Sequence, residues 1–219
     1  MKGMLVVNTK AYLEGTGQKA IRLAQTCRKL SGEFSTEIIL AVQPSDIPGV
    51  SGQVTTFAQH IDAVKPGSHT GHILPEAVRA AGARGTVINH SERRLSLKDI
   101  RDSIIFSGKA GLRTVCCVPR AGMVRDVAVM KPECIAIEPP ELIGTGIPVS
   151  SAKPSVISSS VRLAKKVNPR VRVLCGAGIS SREDVEKAIE LGASGVLVAS
   201  GVVKARSQEK TLKDLLRGF

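Results

Sequence analysis

The sequence predicts an α/β chain built as a closed (β/α)8 barrel, compact and with shortened outer helices. Three observations carry that expectation. Short apolar runs of the kind that suit strands buried on both faces recur roughly every 20–35 residues, with stretches of helical spacing between them. The first run ends in Asn8-Thr9-Lys10 rather than in the Gly-x-Gly-x-x-Gly of an open dinucleotide-binding sheet. The glycines gather instead after the sixth, seventh and eighth runs, which is where barrels of this architecture hold phosphate.

In chain order, Met4–Val7 reads as the first strand, with Asn8, Thr9 and Lys10 at its tip. Ala20, Ile21, Leu23, Ala24, Cys27 and Leu30 then recur at helical spacing. Ile38–Val42 and Val54–Ala58 are the next strands, and the segment from Ser45 to Gly52 between them is too short for a full outer helix. Gln59 and His60 close the third strand, a polar loop follows, and Leu74 to Ala81 predicts a helix stopped by Gly82. Thr86–Ile88 leads into Asn89-His90-Ser91-Glu92-Arg93-Arg94, and Leu95 to Lys109 predicts a helix closed by Gly111. Leu112–Val118 is the fifth strand, Met123–Met130 a short helix and Glu133–Ile137 the sixth strand. Pro154 suits the first turn of a helix reaching Val167. Val171–Leu174 is the seventh strand, and Ser180 with Glu183 three residues on predicts a capping box for the helix that ends at Gly192. Gly195–Val198 is the eighth strand, and one last helix is expected over 202–216.

A length of 219 residues fits one domain, 1–219. Aromatics make up only 2%, with no Trp, so the core must be packed with Val, Ile, Leu and Ala, which fill a parallel barrel well. The start runs directly from Met1 into an apolar strand, no stretch approaches membrane-spanning length, and the five cysteines show no paired spacing. A cytoplasmic chain with buried thiols is expected. The net charge of +12, from 31 Lys and Arg against 19 Asp and Glu, is dispersed and has few aromatics beside it. That favours a solvated basic surface over a nucleic-acid or membrane partner, and suits steering of an anionic substrate.

The chain is organised around Cys134 to Gly146, CIAIEPPELIGTG. A buried strand ends on a carboxylate, Glu138; two prolines stiffen the exit, and Gly144 and Gly146 supply a far hinge. In a barrel every C-terminal strand tip faces one mouth, so Lys10, His90 and Glu138 converge there. Taken singly each reads equally as an ordinary surface or loop residue. The loops Gly176-Ala177-Gly178 and Ala199-Ser200-Gly201 let backbone N–H groups approach an anion. His60, His69 and His72 lie on or beside a Gly/Pro-containing loop without a matching carboxylate or Cys pattern, so no metal is expected. On these residues alone, another phosphate-binding barrel acting on a phosphorylated amino sugar or biosynthetic intermediate, and a basic nucleic-acid module, both stay open.

VNTK, NHSERR (Asn89–Arg94) and IEPPELIGTG (Ile137–Gly146), in that order along nearly the whole chain, resemble the triosephosphate isomerase family in its short archaeal form, a TIM barrel. The resemblance implies interconversion of dihydroxyacetone phosphate and D-glyceraldehyde 3-phosphate through an enediol(ate), with no metal or organic cofactor. It implies Glu138 as base, His90 as electrophile and proton shuttle, Lys10 and Asn8 as stabilisers of the enediolate, and Glu92 as a partner of Lys10. Lys10, Ile143, Gly144, Gly178, Ser180, Ala199 and Ser200 would hold the substrate phosphate. Pro139, Pro140, Glu141, Leu142, Thr145 and Gly146 would belong to a closing lid. The PPEL of that lid departs from the PVWA of most bacterial and eukaryotic relatives. The loop Asp62–His72 resembles the family's interdigitating dimer loop, with Thr70 reaching a neighbouring subunit and His72 where relatives usually carry Glu. A homotetramer built from dimers is expected on the same ground.

Overall fold

In the computed structural model, which describes residues 2–142 and 148–219, eight parallel strands pair in sequence order and close on themselves. They are β1 (Met4–Asn8), β2 (Glu37–Val42), β3 (Thr55–Ala58), β4 (Gly85–Ile88), β5 (Arg113–Val118), β6 (Cys134–Ile137), β7 (Arg172–Cys175) and β8 (Gly195–Val198). Closure comes from β8 pairing with β1, Val6 opposite Leu197. The predicted fold class is observed, and strand ends differ from the sequence reading by about one residue.

Alternation along the strands sorts two cores. Met4, Val6, Ile39, Ala41, Phe57, Val87, Val115, Cys117, Cys134, Ala136, Leu174 and Leu197 fill the barrel interior. Leu5, Val7, Leu40, Val42, Ile88, Cys116, Ile135 and Ile137 face the helices. The one aromatic inside, Phe57, fits because Gly85 lies beside it: a Cβ there would stand 2.4 Å from the ring. All five cysteines are buried and free, as expected.

The helices are α1 (Gly17–Glu33), α2 (Ile47–Val50), α3 (Pro75–Ala80), α4 (Leu97–Lys109), α5 (Val124–Val129), α6 (Val149–Ala152), α7 (Pro154–Val167), α8 (Arg182–Glu190), α9 (Ser200–Val203) and α10 (Gln208–Leu216). The four-residue α2 and six-residue α5 are the shortened outer helices the sequence suggested. Two expectations need correcting. The cap of α8 is Ser181 with Asp184, not Ser180 with Glu183. Asp184 prevails because one of its oxygens accepts from the N–H groups of both Ser180 and Ser181, at 2.8 and 2.9 Å. The final helix is broken between Val203 and Gln208, where Ser207 starts a new helix by accepting the Lys210 N–H and Gln208 turns back onto the Val203 carbonyl. Apolar periodicity alone runs through such a break. No helix among the described residues is long and apolar enough to cross a membrane.

The barrel floor is closed by charge. Arg113 donates two hydrogen bonds to Glu37 (2.6 and 3.0 Å) and two to Glu133 (2.6 and 2.7 Å). Arg172 joins Glu133 as well and stands 3.9 Å from Glu37. Glu37, Arg113 and Arg172 occupy inward strand positions below the apolar layers. Arg113 also lies over the Phe57 ring, 5.3 Å from its centroid.

Candidate active site

At the mouth, inward alternation continues past the strand ends. Asn8 shares the parity of Met4 and Val6, and Glu138 that of Cys134 and Ala136. Both are buried polar groups, 3% and 2% exposed.

Beyond β1 the chain turns sharply, and Lys10 adopts φ +49°. A non-glycine residue in that region costs of order 1–2 kcal/mol and needs local support. Asn8 provides it by accepting the Lys10 N–H at 2.9 Å. Gln59, at the end of β3, adds to it by donating to the Lys10 carbonyl (2.8 Å) and the Thr9 hydroxyl (3.0 Å). The ammonium of Lys10 is thereby aimed across the mouth, where it meets Glu92 Oε1 at 2.9 Å.

His90 follows β4. Its Nδ1 accepts the Glu92 backbone N–H at 3.2 Å, and its Nε2 stands 3.5 Å from Glu138 Oε1. An Nδ1 that accepts a hydrogen bond carries no proton, so the remaining proton of a neutral ring sits on Nε2, facing the mouth. The Glu92 carboxylate also lies 3.5 Å from Nδ1, but its other oxygen is engaged by Lys10. The amide is the shorter contact to the ring.

Glu138 extends the β5–β6 ladder through its N–H to the Val118 carbonyl at 2.9 Å. Burial pushes its carboxyl above the ordinary value, against the pull of His90, Cys117, Arg94 and Lys10. Its Oε2 is buried without a conventional hydrogen-bond partner, which leaves a base poised to take a proton. Gly176 forms its seat, since a Cβ there would meet Glu138 Cγ at 2.6 Å. Gly176→Ala is therefore expected to displace the carboxylate and lower turnover by about 10–100-fold, because an ångström of misplacement suffices for that. Thermal melting beside kcat checks this, with the variant expected to melt a few degrees below wild type yet stay folded at the assay temperature.

Lys10, His90, Glu138, Gly178, Ala199 and Ser200 line one cavity of about 230 Å³, together with Ser180 and the β8 end. Gly178 has φ +73° and Ala199 caps the short α9 without a side-chain bond. The Ser180 N–H and hydroxyl both point to Asp184, so a phosphate there would compete with that carboxylate. Pro139 and Pro140 leave β6, and the turn Pro140–Leu142 places Glu141 in an ion pair with Lys153. Ile143, Gly144, Thr145 and Gly146 lie outside the described residues. Thr70 is exposed on a loop pinched at its base by Asp62 and Ile73, and it does not line this cavity.

The structure thus places Lys10, His90 and Glu138 on one cavity, the three residues expected to converge from their strand tips, with Asn8 bonded to the Lys10 N–H and Glu92 to its ammonium. Gln59 and Asn89 were given no role from sequence, and Gly176 was read only as part of a loop that lets backbone N–H groups approach an anion. A glutamine at a strand end and a glycine inside CGAGIS are the signals they left, and neither is specific.

Known proteins resemble this chain along nearly its whole length. The triosephosphate isomerase family model matches residues 3–216. The triosephosphate isomerase of Methanosarcina barkeri is 48% identical over 215 residues, 97% of each chain. That of Methanocaldococcus jannaschii is 47% identical over 216 residues, covering 98% of this chain and 99% of the relative. That of Archaeoglobus fulgidus is 46% identical over 98% of this chain and 97% of the relative. The crystal structure of triosephosphate isomerase from Bartonella henselae superposes with a TM-score of 0.77 over 100% of this chain and 98% of that one; at 18% identity it speaks to the fold alone. With the family model spanning the barrel from end to end and archaeal members nearly half identical throughout, the chain belongs to the triosephosphate isomerase family.

Proposed function

We propose that Glu138 is the base, His90 the electrophile and Lys10 the electrostatic stabiliser in the interconversion of dihydroxyacetone phosphate and D-glyceraldehyde 3-phosphate. The observation that carries the assignment is the opposition of His90 Nε2 and Glu138 Oε1 at 3.5 Å in a triose-sized cavity beside Lys10. This division of labour is the one already known for the family.

Glu138 takes a proton from C1 of the ketose, and the electron pair of that bond becomes the C1–C2 double bond of the enediolate. The oxygen that gains charge is met by the Nε2–H of His90 and the ammonium of Lys10. His90 passes its proton between the two oxygens, and Glu138 returns a proton to C2 to give the aldose. Atoms and electrons balance without an external oxidant or reductant. Burial keeps the Glu138 carboxylate poorly solvated and basic. Asn8 acts by holding the turn that aims Lys10.

The substrate phosphate sits against Gly178, Ser180, Ala199 and Ser200, with Lys10 supplying charge. The lid, Pro139 to Gly146, closes over it and excludes water, which keeps the enediolate from eliminating phosphate. A second cavity of about 260 Å³ opens beside Asn8, Lys10, Gln59, His60 and Arg93. It suits the Thr70 loop of a neighbouring copy, and a tetramer built from such dimers is part of this proposal.

The test is isomerisation of D-glyceraldehyde 3-phosphate by the purified chain with a chelator present. Rapid formation of the ketose is expected, and a folded chain without turnover contradicts the proposal. Sedimentation of the same sample is expected to give four copies of a 23.1 kDa chain. A monomer mass overturns the oligomer.

A further inference from the structure

We infer that Asn89 is a positioning residue for His90: its buried side-chain amide closes the loop that holds Nδ1 of His90 against the Glu92 N–H. The inference rests on the reading of His90 as the electrophile and deepens it.

Asn89 is the first residue beyond β4, 1% exposed, with φ +58°. Asparagine is among the few side chains that accept this conformation, but glycine takes it more readily, so tolerance alone does not explain the choice. The partners of the side chain do. Nδ2 donates to the Cys117 carbonyl at 2.7 Å, continuing the β4–β5 ladder one step past Ile88 opposite Cys116. Oδ1 accepts the Leu95 N–H at 2.8 Å, next to Ser96, the cap of α4. The Asn89 carbonyl accepts from the Arg94 guanidinium, also at 2.8 Å. A carbonyl on one side and an N–H on the other fix which end of the amide is which.

One residue therefore ties both ends of the segment 90–94, to β5 below and to the start of α4 beyond. Inside the tied segment Arg93 N–H turns back to the His90 carbonyl at 2.9 Å, and the Glu92 N–H reaches His90 Nδ1 at 3.2 Å. The latter bond keeps the ring proton on Nε2, facing Glu138. Glu92 also takes its position against Lys10 from the same segment. With the tie cut, the loop keeps its sequence but loses what holds the amide under the imidazole.

Asn89→Gly preserves the backbone conformation and removes both side-chain bonds. Turnover is expected to fall about 10–100-fold with KM changed less than about threefold. In 15N spectra of the side chain, His90 Nδ1 is expected to lose its hydrogen-bond-acceptor signature, and the two neutral tautomers to mix. If Asn89→Gly does not fold, Asn89→Asp carries the same readouts, since it tolerates the conformation and keeps the acceptor for Leu95, while its ionised form only accepts and so cannot donate to Cys117. A lowered melting point with wild-type kcat per folded molecule and an unchanged His90 spectrum makes Asn89 merely structural and overturns the inference. So does a fall in kcat and rise in KM together with an unchanged spectrum. The spectra stand apart from the assay: a wild type without isomerase activity sinks the proposed function, while the Nδ1 signature still decides the role of Asn89.

Discussion

Glu138→Asp is expected to lower kcat about 10²-fold with little change in KM. Shortening the side chain by one methylene withdraws the carboxylate from C1 by about 1 Å while its charge and the cavity wall remain. In the proposed binding mode the substrate is held chiefly through its phosphate at the other end of the site, so ground-state binding is expected to stay almost intact. Glu138→Gln removes the base altogether and is expected to cost about 10²–10⁴-fold. That variant has a second consequence with a definite sign. Burial raises the Glu138 carboxyl above its ordinary value of 4.5, so the native state holds its proton more tightly than the unfolded chain does. The ionised side chain is therefore a cost to folding at neutral pH, and the native state is favoured relatively as pH falls to the unfolded value. Glu138→Gln should be more stable than wild type at pH 7. The gap should close as pH drops to 4.5 and below, where both states of the wild type are protonated. Denaturant midpoints at the two pH values, read beside kcat, check both halves. A variant that is inactive and less stable at neutral pH would point to misfolding rather than to a missing base.

Arg113→Met is expected to be the most damaging change far from the chemistry. The guanidinium satisfies two carboxylates on the barrel floor with four hydrogen bonds, and removing it leaves Glu37 and Glu133 with only Arg172 between them. Breaking a fully buried pair in this way costs about 3–5 kcal/mol. These four side chains retain 14–30% exposure, so a loss of about 2–3 kcal/mol is the better expectation. The pH dependence again has a sign. Burial pushes the Glu133 carboxyl up, but the hydrogen bonds from Arg113 and Arg172 outweigh it and hold it below its ordinary value. Stability from that bond is present above 4.5 and is lost as pH falls through the lowered native value. The difference between wild type and Arg113→Met should thus narrow in acid, while kcat at neutral pH stays near wild type below the melting transition. A variant as stable as wild type would show that the network is replaceable by apolar packing, as some buried ion clusters are.

The barrel was legible because its strands are buried on both faces. CIAI and GVLV read as continuous apolar runs, and the residues that follow a run fall on the mouth by geometry alone. Glu138, His90 and Lys10 could be placed for that reason before any contact was known. Capping was legible only to within a residue, since Ser180–Glu183 and Ser181–Asp184 fit the same pattern and the shorter acid reaches back to two amides. The break after Val203 was hidden because apolar spacing continues across it. The supports of the site were hardly legible. The left-handed turn at Lys10 carries no composition signal and an asparagine at Asn89 only a weak one, and the bonds from Gln59 and Asn89 that sustain them span 49 and 28 residues. Arg113 meets Glu37 from 76 residues away, a pairing that only closure of the sheet creates.

The central claim is that one carboxylate, Glu138, carries the proton between two adjacent carbons. Isomerisation of D-glyceraldehyde 3-phosphate in D₂O tests it most directly. Any proton on Glu138 that exchanges with solvent before it is returned appears as carbon-bound deuterium at C1 of the ketose, and such labelling is predicted. Glu138→Asp is predicted to give the same labelling at a lower rate. Isomerisation and C1 labelling by Glu138→Asp as fast as by wild type would mean that another group carries the proton and would contradict the account.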